Sequence, residues 1–414
     1  MVQIKKLDIL SFADTYKTSL DSAVCSLGDE IVNLENLLGR VLSEDLIVSK
    51  NVPSFNNSAL DGFAFKSSDV DKKLKITETI FAGDEPKEIL KNGECYKIMT
   101  GAKVPNDADT VVAIENCIEV GEEFVIIPKN VKKGNALRLK GEELNVGEIL
   151  FEKGEMIDFP HIALLSAQGK STARVYKKLS IAVISTGNEL KEPWEEASED
   201  EIYNANSFAI IALLKKYNFN PDYMGVIPDD LEKTIEFISK LKSYDVIITT
   251  GGISMGDADF LEEAFLRNNL ESFFHGVNVK PGRPTMMGVM GKSFVMAMPG
   301  NPLTTLLNIF VLSIPLLLKL QGSKRYFHDF IEIKNKKEFR TKQGRSEIVL
   351  GILKGGEFLA TRDNKVGSGM LKPLWESNAV SIIGEDMGII KKGEILKIIP
   401  FSAIFSKYFE NFLN

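Results

Sequence analysis

The chain has 414 residues, 44% of them hydrophobic and 26% charged, with a formal net charge of −7. At about 150 residues per domain, this length argues for two to four globular domains. The acidic balance, without a basic run or an aromatic-interleaved stripe, argues against nucleic acid as a partner, and no apolar run is both long and uncharged enough to span a bilayer.

The first eighteen residues, MVQIKKLDILSFADTYKT, lack an apolar core followed by a small-residue cleavage site, so a cytoplasmic location is expected. A helix is expected over 11–26, where Phe12, Tyr16, Leu20 and Val24 recur at helical spacing ahead of Gly28. Short strands follow in EIVNL and VLSEDLIV. From 51 to 145, short apolar runs (GFAF, LKITETIF, CYKIM, TVVAI, FVIIP) are cut by Gly, Pro, Asn and Asp, the texture of a small β-rich domain. GEILFEKGEMI returns to strand, and DFPHIALLSAQG reads as a short helix stopped at Gly169.

Residues 179–321 change character. LSIAVIS, DYMGVIP, DVIITT and KSFVMAMP are continuous apolar strands, separated by helical patterns near 204–217, 230–242 and 258–269 and closed by a long one from 302. This alternation predicts a parallel, doubly wound α/β sheet. Within it, LNIFVLSIPLLLKL (307–320) reads as a buried helix. After Gly322 the pattern returns to strands with Gly and Lys turns, a small β-barrel or sandwich.

Several common chemistries lack their parts. Cys25, Cys95 and Cys117 are too widely spaced for a disulfide framework or a metal cluster, and His161, His275 and His328 do not pair at metal spacing.

In an open α/β sheet, ligands bind beyond the carboxyl ends of the strands, where free N–H groups point outward. Three loops fall there. IAVISTGNEL carries Ser185, Thr186, Gly187 and Glu189; DVIITTGGISMGDAD carries Gly251, Gly252, Ser254, Asp257 and Asp259; FVMAMPGNPLTT carries Pro299, Gly300, Asn301, Pro302 and Thr304. Asp259 and Asp229 precede helices and could serve as caps. Carboxylates around an anion loop also suit a hard divalent cation, because Mg²⁺ takes carboxylate oxygens on one side and phosphate oxygens on the other. In KPGRP, Lys280 and Arg283 stand three apart on a proline-stiffened chain and could face one anion. In NVPSFNNSALDGFAF, the polar group Asn56, Asn57, Ser58 and Asp61 before a turn at Gly62 could form Asx turns. MTGAKVPNDADTVVAIEN adds Thr100 and Glu115 as candidates.

Taken in order, VPSFNNSALDGFAF, TGAKVPNDADTVVAIE, KGEEL, STGNEL, YNANS, PDD, TTGGISMGDADF, KPGRPTMMG and MPGNPLTT cover nearly the whole chain, and the sequence resembles the molybdopterin molybdenumtransferase family, bacterial MoeA and the E domain of gephyrin. GRSE and GSGML extend the likeness into the last 90 residues. The resemblance implies a homodimer of four-domain subunits: an elongated dimerisation domain (1–50 with 146–178), a β-rich insert (51–145), a doubly wound α/β molybdopterin-binding domain (179–326) and a C-terminal β-barrel (327–414).

It also implies a reaction, in which molybdenum from molybdate enters molybdopterin, adenylylated molybdopterin is the substrate, its pyrophosphate link is hydrolysed with Mg²⁺, and AMP is released. The active site would lie between the α/β domain of one subunit and the β-rich domain of the other. By this likeness the catalytic residues are Asp61, Thr100, Glu189, Asp229 and Asp259, with Glu189, Asp229 and Asp259 on the metal. Ser58, Glu115, Glu143 and the three glycine-rich loops contact the substrate, and Lys280, Arg283, Arg345 and Ser368 hold molybdate. The molybdopterin adenylyltransferase that makes the substrate is a candidate partner.

The chain departs from the family pattern in places. KGEE puts Glu143 where an aspartate is usual, KPGRP exchanges a lysine for Arg283, PGNPLT keeps a hydroxyl at Thr304, and GRSEIVL lacks the aromatic and the second arginine of GRxEFxR. Two rival functions remain open at this point: the adenylyltransferase itself, whose fold resembles 179–321 alone and would not need the β-rich flanks, and a scaffold, for which the acids would be unnecessary.

Overall fold

The computed structural model describes residues 9–85, 89–227, 230–253 and 260–401. Four parallel strands form the centre of the α/β domain, in the order Asp222–Ile227, Ile181–Thr186, Val246–Thr250, Ser293–Met298. The sequence reading is corrected at one edge. Met286–Met290 and Leu270–His275 continue the sheet antiparallel, so the sheet is mixed. Both faces are covered, which explains why Ile181–Thr186 and Ser293–Met298 are buried at every position and read as unbroken apolar runs.

Helices Ala205–Lys216, Leu231–Lys240 and Phe260–Arg267 lie close to their predicted spans. The cap of the second is Asp230, whose side chain accepts the Lys233 N–H at 2.9 Å, and not Asp229, which lies outside the described residues. The last helix runs from Pro302 to Leu320 through a π-helical turn at Ile309–Ser313. By length and composition it is apolar enough to cross a membrane, contrary to the expectation that no run is; its side chains are buried among the core strands instead. Each such fully buried Leu or Ile contributes about 1.5–3 kcal/mol.

The β-rich segment is a six-stranded sheet, ordered Thr110–Ala113, Gly62–Phe65, Glu94–Ile98, Lys73–Ile80, Phe124–Ile126, Glu119–Val120, with an apolar cluster on each face. Gly62 opens a strand here instead of closing a turn. Flanking it, Asp29–Asn33 pairs with Thr172–Tyr176 and Leu46–Ile47 with Ile149–Phe151, packed on helix Phe159–Ala167. That helix ends before Gly169, as expected. The N-terminal helix is shorter than expected, Phe12–Asp21, with Ser22 at its C-cap and its hydroxyl on the Thr18 carbonyl.

The C-terminal segment is a barrel. Ser346–Lys354 pairs with Glu357–Ala360 and Ala379–Ile383, and the circle closes through Ile331–Asn335 and Ile395–Pro400. One strand of the α/β segment joins it: Val277–Lys280 pairs in parallel with Ser346–Lys354, with Lys280 opposite Glu347.

Candidate active site

At the carboxyl ends of the parallel strands lies a cavity of about 480 Å³, lined by Thr186, Gly187, Glu189, Asn204, Asn206, Thr250, Gly251, Gly252, Pro299, Gly300, Asn301 and Pro302 among others. All three glycine-rich loops therefore converge, as the topology requires. Asn206, at the start of helix Ala205–Lys216, ties them together. Its Nδ2 donates to Thr250 Oγ1 at 2.8 Å and to the Gly300 carbonyl at 2.7 Å, while Thr250 Oγ1 donates to the Pro299 carbonyl.

The glycines here have steric reasons. A Cβ on Gly251 (φ +92°) would stand 2.5 Å from the Thr186 carbonyl oxygen, and one on Gly252 (φ +61°) 2.6 Å from Thr186 Oγ1. Only glycine lets the two loops approach so closely while turning left-handed. Two oxygens at this cavity, Thr186 Oγ1 and Asn206 Oδ1, are buried without a hydrogen-bond partner. Buried polar atoms are ordinarily satisfied, so these two oxygens retain bonding capacity at the cavity. Glu189 is exposed at the cavity, its carboxylate folded back over Gly187.

Ser185, expected at the substrate, does not line this cavity. It is fully buried, and its hydroxyl is taken up by Asn204 Oδ1 at 3.0 Å and Ser207 Oγ at 2.7 Å. Asn204 in turn donates to the Tyr223 hydroxyl, which donates to Glu192. Burial, then the Glu192 carboxylate, pushes the Tyr223 hydroxyl well above its ordinary range, so it remains a donor that braces the loop. Ser254, Asp257, Asp259 and Asp229 lie outside the described residues.

A second cavity, of about 370 Å³, adjoins the first and shares Pro284, Pro299 and Asn301 with it. It lies between the α/β segment and the barrel, and is lined by Lys280, Arg283, Thr304, Arg345, Glu347, Asn364 and Ser368 among others. The structure thus brings together the four residues expected to hold an oxyanion. The loop that carries Arg283 is pinned from the long helix: Asn308 Nδ2 donates to Thr285 Oγ1 at 2.7 Å and to the Gly282 carbonyl at 3.2 Å. Thr304 is 2% exposed with its hydroxyl unpartnered. Lys280 Nζ lies 2.6 Å from Glu347 Oε1.

Asp61 and Thr100 meet within the β-rich segment, where Asp61 Oδ1 accepts both the backbone N–H and the hydroxyl of Thr100. The N–H first, and then the hydroxyl, hold the Asp61 carboxyl below its ordinary range. Within the cluster Asn56 to Asp61 the Ser58 hydroxyl makes a local turn with Leu60, whereas Asn56 and Asp61 bond distant segments. Asp61 reaches across to Thr100, Asn56 accepts the Lys140 N–H, and the buried Ser58 hydroxyl bonds the Leu60 carbonyl. Glu115 is exposed, and Glu143 is exposed with a loose pair to Arg138 at 3.7 Å. None of these β-segment residues lines either cavity of the same chain.

Sequence reasoning overlooked Asn206, Glu347 and Asn364 as site residues. The first stands in YNANS and the second in GRSE, whose letters do not show which side chains turn toward a cavity.

Three family descriptions match in chain order: "MoeA N-terminal region (domain I and II)" over 10–169, "Probable molybdopterin binding domain" over 182–319, and "MoeA C-terminal region (domain IV)" over 332–401. The chain is 31% identical over 387 residues to a molybdopterin molybdenumtransferase of Haemophilus influenzae, covering 91% of this chain and 94% of that one. It is 32% identical over 352 residues to one of Staphylococcus epidermidis, covering 80% and 84%. Among solved structures, a molybdopterin biosynthesis MoeA protein of Pyrococcus horikoshii superposes with a TM-score of 0.83 at 28% identity, covering 95% of this chain and 100% of that one. With a relative of this identity matched across nearly its full length, the chain belongs to the MoeA family of molybdopterin molybdenumtransferases.

Proposed function

We propose that this transferase of molybdenum cofactor biosynthesis inserts molybdenum from molybdate into adenylylated molybdopterin, with hydrolysis of the pyrophosphate link and release of AMP. The observation that carries the reading is the pair of adjoining cavities. One offers loop N–H groups and the unpartnered Thr186 hydroxyl to a pyrophosphate; the other offers Lys280, Arg283 and Arg345 to an oxyanion.

A divalent cation fits the first cavity by donor chemistry, since the Glu189 carboxylate and the orphaned Thr186 and Asn206 oxygens are hard ligands. Glu189, Asp229 and Asp259 would hold Mg²⁺, which when bound neutralises charge on phosphate oxygens. The chain's own groups do the rest. The N–H groups of Gly252, Gly300 and Asn301 hold phosphate oxygens, and the Thr186 hydroxyl donates one more bond. Lys280, Arg283, Arg345 and Ser368 hold molybdate beside the pterin dithiolene. Water attacks phosphorus and the P–O–P bond breaks, AMP and the pterin phosphate sharing the oxygen and protons of that water; both dithiolene sulfurs bond molybdenum as one molybdate oxygen leaves as water with the two thiol protons. Asp61, ionised and oriented by Thr100, comes from the second subunit of a homodimer to orient the attacking oxygen.

The test is to mix the purified protein with adenylylated molybdopterin, Mg²⁺ and molybdate and to follow AMP. Molybdate-dependent release that is lost on chelation and in Asp61→Ala or Asp259→Ala supports the reading. Mixing those two variants recovers part of the activity if the site is shared between subunits. Release indifferent to both substitutions overturns the assignment, and adenylylation of molybdopterin from ATP would replace it with the adenylyltransferase reading.

A further inference from the structure

One buried carboxylate of the second cavity has no part in the scheme above. Glu347 is 3% exposed. It stands opposite Lys280 because the parallel register of the two strands puts it there. Its Oε1 accepts from Lys280 Nζ at 2.6 Å and from Asn364 Nδ2 at 3.0 Å, and its Oε2 accepts the Lys342 backbone N–H at 3.1 Å.

Asn364 arrives there by an unusual path. Arg362, Asp363 and Asn364 have φ of 52°, 52° and 62°, three left-handed residues in succession and none of them glycine. Each is disfavoured by its own Cβ, and such a turn persists only where surrounding contacts over-determine it. Those contacts are present. Arg362 forks onto both Glu376 oxygens at 2.8 Å, Lys337 Nζ meets Asp363 at 2.7 Å, and Asn364 Nδ2 also donates to the Arg340 carbonyl at 2.9 Å. The strain is therefore held at the point that delivers one amide to Glu347.

An unrestrained lysine is a point charge on a four-carbon stem with three donors to spend. Glu347 takes one of those donors and fixes where the others begin, while the Lys280 side chain remains 41% exposed toward the cavity. We propose that Glu347, oriented by Asn364, is a positioning residue for oxyanion capture, holding the Lys280 ammonium at the cavity wall with donors left for the anion. This rests on the reading of the cavity as the molybdate site.

The experiment is AMP release against molybdate concentration, with melting temperatures, for the wild type, Glu347→Gln, Glu347→Asp and Asn364→Ala. The KM for molybdate is expected to rise about tenfold or more in Glu347→Gln, as misplacing a binding group does. kcat at saturation falls by much less, Glu347→Asp restores part of the KM, and Asn364→Ala shifts it in the same direction by less. A lowered melting temperature with an unshifted or lowered KM makes Glu347 a structural clasp only, and overturns the proposal. If Glu347→Gln fails to fold, Asn364→Ala decides alone, and an unshifted KM there is the overturning result. Wild-type release without molybdate dependence brings down the reading of the cavity itself, which separates that failure from failure of the positioning role.

Discussion

Asp61 and Thr100 come from segments 39 residues apart, yet Oδ1 of the first accepts two hydrogen bonds of 2.7 Å from the second. Both bonds favour the ionised carboxylate, so Asp61 stays charged below its ordinary value of 3.8. A depressed carboxyl favours the folded state above its unfolded value, and that contribution is lost as pH falls through the folded one. Thr100→Val removes the hydroxyl and keeps the N–H. The Asp61 value should then rise partway back, seen by carboxyl carbon NMR titration, and the acid limb of the AMP-release profile should move to higher pH by the same amount.

The oxyanion cavity predicts a graded series. Arg345 has no hydrogen bond or ion pair among the described residues, so it is free to meet an anion. Arg345→Ala should raise the KM for molybdate about tenfold to a hundredfold, the loss of one charge-assisted bond of about 1.5–3 kcal/mol. Arg345→Lys should recover only part of this, because the planar fork is gone. Kinetics over a molybdate series would check both.

Gly252→Ala combines a left-handed φ with a Cβ 2.6 Å from Thr186 Oγ1 and 3.3 Å from Leu261 Cβ. A destabilisation of about 1–3 kcal/mol is expected from strain and overpacking. It should appear as a lower melting temperature together with a raised KM for the nucleotide-bearing substrate, since the displaced loop lines the first cavity.

His328 bonds the Phe310 carbonyl at 2.7 Å through Nε2 and packs against that ring in a tilted arrangement, 4.6 Å between centroids. Burial lowers its value from 6.5, with the carbonyl opposing in part. The unfolded chain then takes up the proton first, so stability falls as pH drops from 6.5 toward the depressed folded value. Melting temperatures measured from pH 7 to 5 should decline, and His328→Phe should flatten that slope.

Much of this was legible in the sequence because two-faced burial leaves continuous apolar runs. The four parallel strands and the loops that follow them could be read from IAVIS, DVIITT and their neighbours. The antiparallel edge could not: LESFFH is interrupted by the exposed Glu271 and Ser272, and MMGVM carries a glycine. The convergence of the loop glycines and hydroxyls on one cavity was legible, whereas the inward turn of Ser185, a polar residue at a strand end, was not. Glu347 and Asn364 escaped notice for another reason. Their roles depend on a register between distant strands and on a left-handed turn that TRDN, as letters, does not announce.

The pairing of Val277–Lys280 with Ser346–Lys354 has a consequence for chains cut short. Without the barrel, that strand would keep Leu10–Ser11 on one side and present a bare ladder of N–H and C=O groups on the other. An open edge of this kind templates association with other chains. The barrel thus acts as a guard against aggregation for the segment that precedes it, and a fragment ending near residue 326 should come out of solution as clumps instead of a soluble α/β unit.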